Sequence, residues 1–259
     1  MSNPINKYLI TGGVGDFIQY LDAVEILNSL KCEFVVVTHF KGAKAFFEKH
    51  AKIEKFTFHH FDDVKTYSEI LSSVKKDNIL ECPRSPYLTV DYPYKVESPF
   101  DNDNEIIGIH PFGSNFSKNA YASFNLPEKK ISVSCVEKIL RKDKNYLIFG
   151  SEKELLEYDH LKDETNICLV NHPDIWVCLS HVQFCKKIIA VDSSIKAFSL
   201  ARKIPTYLIV GDFEDQTRDY YFINPYLNSG FLELLKTKNP VQDEESIIKF
   251  VNEAVYKDC

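Results

Sequence analysis

The stretch Tyr8-Leu9-Ile10-Thr11-Gly12-Gly13-Val14-Gly15-Asp16-Phe17-Ile18 constrains this chain more than any other. An apolar run enters a glycine-rich turn that carries an aspartate, and the pattern then becomes helical, so the stretch reads as strand, tight loop, helix. Glycines let the backbone turn sharply and approach a ligand, and a helix beginning near Val14 or Gly15 presents free N–H groups at its positive end. Asp16 falls there, either as an ordinary first-turn acid favoured by the helix dipole or as a functional carboxylate. A dinucleotide fingerprint is disfavoured. Gly13-Val14-Gly15-Asp16-Phe17-Ile18 has Ile18 where G-x-G-x-x-G needs its third glycine, and the next strand ends at Thr38-His39 without an acid to hold a ribose.

Strand and helix patterns go on alternating down the chain. Phe17, Leu21, Val24 and Leu27 mark one helix face, and Phe34-Val35-Val36-Val37 is the uninterrupted apolar run of a parallel strand buried on both faces. Helix is expected over 42–50, strand over 53–58, helix over 62–75 and strand over 78–82. Pro83, Pro86, Pro93 and Pro99, followed by Asp101-Asn102-Asp103-Asn104, then block regular structure and mark a linker. The alternation restarts with strands expected at 105–110, 146–149, 166–170, 187–191 and 206–210 and helices at 129–141, 151–161, 174–184 and 193–202. A last helix over 244–256 carries Ile247, Ile248, Val251 and Val255 on one stripe. Two doubly wound α/β domains are the reading.

Composition narrows the function. At 259 residues with a formal net charge of −6, the chain is long enough for two cores and offers no general surface for nucleic acid or anionic lipid. A nucleic-acid acceptor is disfavoured on that ground without being excluded, and a phosphate site must be built locally. The cysteines Cys32, Cys82, Cys135, Cys168, Cys178, Cys185 and Cys259 are scattered without a C-x-x-C pair and read as reduced core residues of a cytoplasmic protein. No signal peptide and no transmembrane span is read, which leaves peripheral attachment to a membrane open. His59-His60 lack partners at ligand spacing, so no metal site is expected.

In open α/β sheets ligands bind beyond the carboxyl ends of the strands. Four turns there stand out: Gly12 to Asp16; His110-Pro111-Phe112-Gly113-Ser114-Asn115-Phe116-Ser117-Lys118; Gly150-Ser151-Glu152-Lys153-Glu154; and Val191-Asp192-Ser193-Ser194-Ile195-Lys196. Backbone N–H groups beside a lysine suit a diphosphate. Each turn also has a plainer reading, as solvated loop charge or, for Asp192-Ser193, as a helix cap. The segment from Gly211 to Gly230 carries Arg218, Tyr220, Tyr221, Phe222 and Tyr226, aromatics that could stack on a base or sugar or simply pack.

Taken in order, these turns resemble the glycosyltransferases of family nine, the group that includes the bacterial heptosyltransferases. Gly12-Gly13-Val14-Gly15-Asp16 is similar to the N-terminal G-x-x-G-D motif of that family. Ile107 to Lys118 is similar to the opening of its second domain, and Leu147 to Glu154 to its next strand and acidic turn. Ile188-Ile189-Ala190-Val191-Asp192-Ser193-Ser194, with Ile204-Pro205-Thr206 after it, resembles the family's D-[ST]-G-x-x-H-x-A motif and following strand. Ser194 stands where the family has glycine and Ala197 where it has histidine, and the chain is shorter than is usual, chiefly in its first half.

The resemblance implies an α/β fold of GT-B type, two Rossmann-like domains facing across a cleft. Residues 1–95 would form the acceptor-side domain and 105–240 the nucleotide-sugar domain, while the helix in 241–259 would pack back on the first domain. It implies an inverting, metal-independent transfer from a nucleotide-diphosphate sugar to a hydroxyl on a glycan, a lipid-linked glycan or another acceptor, with no further cofactor. Asp16 would be the general base, worth about 10² to 10⁴ in rate, on a loop shaped by Gly13 and Gly15. Lys118, Ser114, Ser193 and Ser194 would hold the diphosphate, Glu154 the ribose and Asp192 the sugar hydroxyls. A catalytically silent nucleotide-sugar binding protein, suggested by Ser194 and Ala197, and a nucleotide-sugar epimerase are the alternatives.

Overall fold

In a computed structural model, residues 6–75, 78–113, 129–211 and 223–257 are described. The chain divides into two compact units, the first running to Pro93 and the second starting at Tyr94.

The first unit is a parallel sheet of β1 (Lys7–Thr11), β2 (Glu33–Thr38), β3 (Phe56–His60) and β4 (Leu80–Glu81) in the order β3-β2-β1-β4. Helices α1 (Val14–Ser29), α2 (Ala43–Glu48) and α3 (Val64–Lys75) make the connections. Phe34, Val35, Val36 and Val37 are all buried, as a strand covered on both faces requires. One face packs Leu9, Val35 and Val37 against Phe61 and Val74; on α1, Phe17 stacks among Phe46 and Phe47. Strand β3 starts later than its apolar pattern suggests, because Ile53–Lys55 form a 3₁₀ turn before it.

In the second unit β5 (Ile106–His110), β6 (Asn145–Phe149), β7 (Ile167–Val170), β8 (Lys187–Val191), β9 (Thr206–Gly211) and β10 (Leu232–Thr237) form a parallel sheet in the order β10-β9-β8-β5-β6-β7. Its helices are α4 (Val133–Ile139), α5 (Glu152–Leu155), α6 (Ile175–His181), α7 (Ser194–Ala201) and α8 (Glu244–Ala254). Strand β10 is not legible in the sequence, because Glu233 and Lys236 interrupt its pattern; it pairs only with β9, at the sheet edge, where exposed polar side chains are tolerated.

Ile247, Val251, Val255 and Tyr256 of helix α8 are buried in the second unit's own core with Cys135, Val136 and Ile139. Glu244 accepts hydrogen bonds from Ser132 Oγ at 2.5 Å and Lys138 Nζ at 2.7 Å, and Tyr256 donates to Ile139 O at 2.6 Å. The helix expected from residue 129 starts instead at Val133, capped by Ser132, whose Oγ accepts from Cys135 N at 3.0 Å. That shift takes Lys129 and Lys130 out of the helix.

Both sheets start in the middle, wind outward, and return to the other side of the first strand. The order therefore reverses between β1 and β4 in one unit and between β5 and β8 in the other. At such a point the loops leaving adjacent strands diverge and open a crevice at the carboxyl edge.

Candidate functional site

At the β1/β4 reversal the loop after β1 folds back on itself. Gly12 has φ +108°, a conformation costly for any side-chain-bearing residue, and a Cβ there would lie 2.2 Å from Asp16 Oδ2. Gly13 is the N-cap of α1, and Asp16 Oδ2 accepts from its N–H at 3.0 Å. Gly15 is the second residue of α1. The adjoining strand braces the loop: Thr38 Oγ1 donates to Gly12 O at 2.6 Å and accepts from Phe40 N at 2.9 Å. Thus the glycine loop read from sequence does bring Asp16 to the strand edge.

The partner that sequence reasoning missed is Arg84, just past β4. Its Nη1 donates to Asp16 Oδ1 at 2.9 Å and to Gln19 Oε1 at 3.1 Å, and its guanidinium lies 4.5 Å from the Tyr20 ring centroid. In the sequence Arg84 sits in Pro83-Arg84-Ser85-Pro86 and reads as linker. Only the placement of β4 beside β1 joins it to Asp16. Burial pushes the Tyr20 phenol up to about 12 and the Tyr67 phenol above its ordinary value. Burial also pushes the His39 imidazole down, with the Asp16 charge opposing. His39 and both tyrosines are therefore neutral near pH 7 beside a charged Asp16–Arg84 pair.

At the β5/β8 reversal, residues 129–131 run back against 111–113. Gly113 N donates to Lys129 O at 2.6 Å, Ile131 N donates to Pro111 O at 2.9 Å, and Phe112 and Lys130 form an antiparallel bridge. A Cβ on Gly113 would lie 2.2 Å from Lys129 Cβ, so glycine there admits the lysine. Lys129 Nζ reaches Asp192 Oδ2 at 2.8 Å, and Lys196 Nζ reaches Asp192 Oδ1 at 2.7 Å. Lys196 is 1% exposed and Asp192 16%. Burial alone would raise the Asp192 carboxyl, but the ammonium groups of Lys196 and Lys129 outweigh it and hold the carboxyl well below the usual carboxylate range. Burial also pushes the His110 imidazole down to about 3, so it is neutral, and its buried Nδ1 has no hydrogen-bond partner among the described residues.

Of the remaining expected residues, Ser193 is the N-cap of α7, its Oγ accepting from Lys196 N at 3.3 Å, and Ser194 is the first residue of that helix. Glu154 caps its own helix: its Oε2 accepts from Ser151 N and Ser151 Oγ, each at 2.8 Å, which is the plainer of its two readings. Asp192 does reach the strand edge, but both its oxygens are held by lysines. Ser114 and Lys118, like Arg218, Tyr220, Tyr221 and Phe222, lie outside the described residues. Tyr226 is buried.

The chemistry available in the second unit is therefore cationic. Two ammonium groups face one carboxylate at the start of α7, leaving net positive charge beside free helix N–H groups, a setting that attracts an anion. Neither lysine was assigned a role from sequence: Lys129 was placed inside the misread helix start, and Lys196 was seen only as the last residue of the fourth turn. Their signals were the Ser132 cap and the i,i+4 spacing of Asp192 and Lys196. Among the described residues no group of three or more His, Cys, Asp or Glu could hold a metal ion, and no helix is long and apolar enough to cross a membrane.

No protein-family model matches the sequence, and no curated protein matches it by sequence. Solved structures do match in fold. ADP-heptose lipopolysaccharide heptosyltransferase II of E. coli superposes with a TM-score of 0.57 at 10% identity, over 97% of this chain and 99% of that one. The E. coli heptosyltransferase WaaC, solved with ADP-2-deoxy-2-fluoro heptose, gives 0.56 at 9% identity over 98% and 99%. A family 9 glycosyl transferase from Veillonella parvula gives 0.51 at 13% identity over 98% of each chain. The chain has the α/β fold of GT-B type seen in these glycosyltransferases. The likeness is one of fold, and it runs nearly the full length of both partners, which agrees with the resemblance read from the ordered turns.

Proposed function

We propose that this protein is an inverting glycosyltransferase that moves a sugar from a nucleotide-diphosphate sugar to an acceptor hydroxyl. The observation that supports it is the pairing of chemistries at the two strand-order reversals: a glycine-loop carboxylate at one and a net-cationic cluster at the other. In the reaction the acceptor oxygen attacks the anomeric carbon as the bond to the nucleoside diphosphate breaks. Asp16 takes the hydroxyl proton, and the bonding electrons leave on the diphosphate oxygen. General-base assistance of this kind contributes about 10² to 10⁴ in rate. The leaving diphosphate is met by Lys129 with the backbone N–H groups at Ser193 and Ser194, a role for which Ser114 and Lys118 remain candidates, while the buried Lys196 adds its charge from behind Asp192. These fixed cations do the work a metal would otherwise do, and the reaction needs none. Glu154 and Asp192 are second choices for donor hydroxyls, since each is already engaged by its own neighbours.

WaaC has been solved with ADP and with an ADP-heptose analogue, which makes ADP sugars the first donors to try. A panel of ADP-heptose, ADP-glucose, GDP-mannose and UDP-glucose, read by release of nucleoside diphosphate with and without glycan acceptors, tests the reading. Release by the wild-type chain that falls at least a hundredfold in Asp16→Asn, with donor affinity unchanged, supports it. Tight binding without release favours instead a silent nucleotide-sugar binding protein, the reading that Ser194 and Ala197 in the donor turn raise.

A further inference from the structure

We propose that Arg84 is the positioning residue of Asp16, an inference that rests on Asp16 acting as the base. A carboxylate on a first-turn residue is free to rotate about its side-chain bonds unless both oxygens are held. Here they are: Oδ2 by the Gly13 N–H and Oδ1 by Arg84 Nη1. A carboxylate has about four lone-pair sites, so two engaged sites leave others to accept a proton.

Arg84 is itself fixed by more than this pair. Asp16, Gln19 and Asp22 recur at three-residue spacing on one face of α1, and the segment after β4 is strapped along that face. Ser85 N donates to Gln19 O at 2.7 Å. Further along, Asp22 Oδ1 accepts from Thr89 N at 3.0 Å and from Val90 N at 3.3 Å. At the other end, Cys82 N donates to Leu9 O at 2.9 Å, continuing the pairing of β4 with β1. The arginine is thus held between a strand end and a strapped segment, with its guanidinium against the Tyr20 ring and shared between Asp16 and Gln19. Among the described residues, the Asp16 charge is felt at Tyr20 on α1, His39 after β2 and Tyr67 on α3, and Arg84 is its ion-pair partner. The first three are uncharged near neutral pH, so Arg84 is the member of this set that can hold a carboxylate by charge.

The planar guanidinium fixes the direction of the Nη1 donor, which serves both Asp16 and Gln19, as well as supplying charge. An ammonium on the shorter lysine stem supplies a point charge and lacks the planar donor set of arginine. Misplacing a reacting group by about 1 Å costs on the order of a hundredfold. Arg84→Ala is therefore expected to lower kcat for nucleoside diphosphate release about ten- to a hundredfold, with the donor KM within about twofold.

The experiment compares wild type, Arg84→Ala, Arg84→Lys and Asp16→Asn on whichever of the four nucleotide-sugars the wild-type chain turns over, with and without millimolar guanidinium chloride. Support is a kcat loss in Arg84→Ala that guanidinium partly restores, no such restoration in Asp16→Asn, and an intermediate Arg84→Lys. An Arg84→Ala chain with wild-type kcat beside an inactive Asp16→Asn overturns the inference and leaves the base reading standing. A raised KM with unchanged kcat, or a loss that guanidinium does not restore, also overturns it. An active Asp16→Asn, or a wild-type chain that releases nothing from any donor, removes the base reading and this inference with it.

Discussion

Replacing Lys196 with methionine isolates the energetics of the second unit's charged cluster. The side chain keeps its length and apolar stem, and Lys196 is 1% exposed, so the change removes an ammonium without opening a surface. What it leaves is a nearly buried Asp192 whose remaining cationic partner among the described residues is Lys129, at 2.8 Å. Breaking a buried pair by removing one partner costs about 3 to 5 kcal/mol; because one ammonium remains, the lower end, about 3 kcal/mol, is expected here. For a unit of this size that corresponds to a fall in Tm of about 6 to 12 °C. The pH dependence has a definite sign. The folded Asp192 carboxyl lies below its ordinary value, so its ion pairs stabilise the fold above the unfolded value of about 4, and this is lost as pH falls through the folded value. In Lys196→Met the burial that raises the carboxyl is opposed by one ammonium instead of two, so acid unfolding begins at higher pH. Urea unfolding followed by circular dichroism at pH 7, and again stepwise below about pH 4, where the Asp192 linkage acts, measures both effects. Adding Asp192→Asn to Lys196→Met should recover much of the loss, because the charge then left without its partner is that of Lys129, which at 22% exposed turns to solvent more readily than Asp192 at 16%. A single variant within about 1 kcal/mol of wild type, or a double variant less stable than the single, would refute the argument.

Other consequences are more local. Lys129→Ala should weaken binding of ADP or inorganic pyrophosphate about ten- to a hundredfold by isothermal titration while leaving adenosine unchanged, since charged hydrogen bonds are worth about 1.5 to 3 kcal/mol. Equal weakening of nucleoside and diphosphate would place the phosphates elsewhere. Gly12→Ala should destabilise the first unit by about 1 to 3 kcal/mol, because φ +108° is strained for alanine and its Cβ collides with Asp16; a thermal melt checks it. Turnover should survive EDTA, since Lys129 and Lys196 offset the leaving-group charge; full loss with rescue by manganese would overturn the metal-independent reading.

Much of the architecture was legible because its signals are local or depend only on burial. A strand covered on both faces needs an unbroken apolar run, and Phe34 to Val37 and Ile188 to Val191 supply it, all fully or almost fully buried. The glycine loop was legible because Asp16 reaches back only to Gly13, three residues away. The helix start at Ser132 was misread for a local reason too: the cap outweighs the apolar spacing beyond it.

The chain's own sequence therefore determined two α/β alternations, most of their strand ends, and a carboxylate at the first of those ends. Which charges meet there was decided by strand order. Arg84 lies 68 residues from Asp16 and joins it only because the fourth strand returns beside the first instead of continuing outward. Lys129 lies 63 residues from Asp192 and joins it because β8 returns beside β5 while residues 129–131 double back on the end of β5. Such pairings are invisible to periodicity, which reports the face a residue presents and says nothing of the strand that will lie next to it. The site depends on both: local pattern sets each charged group at a strand end, and the reversal of strand order brings its partner.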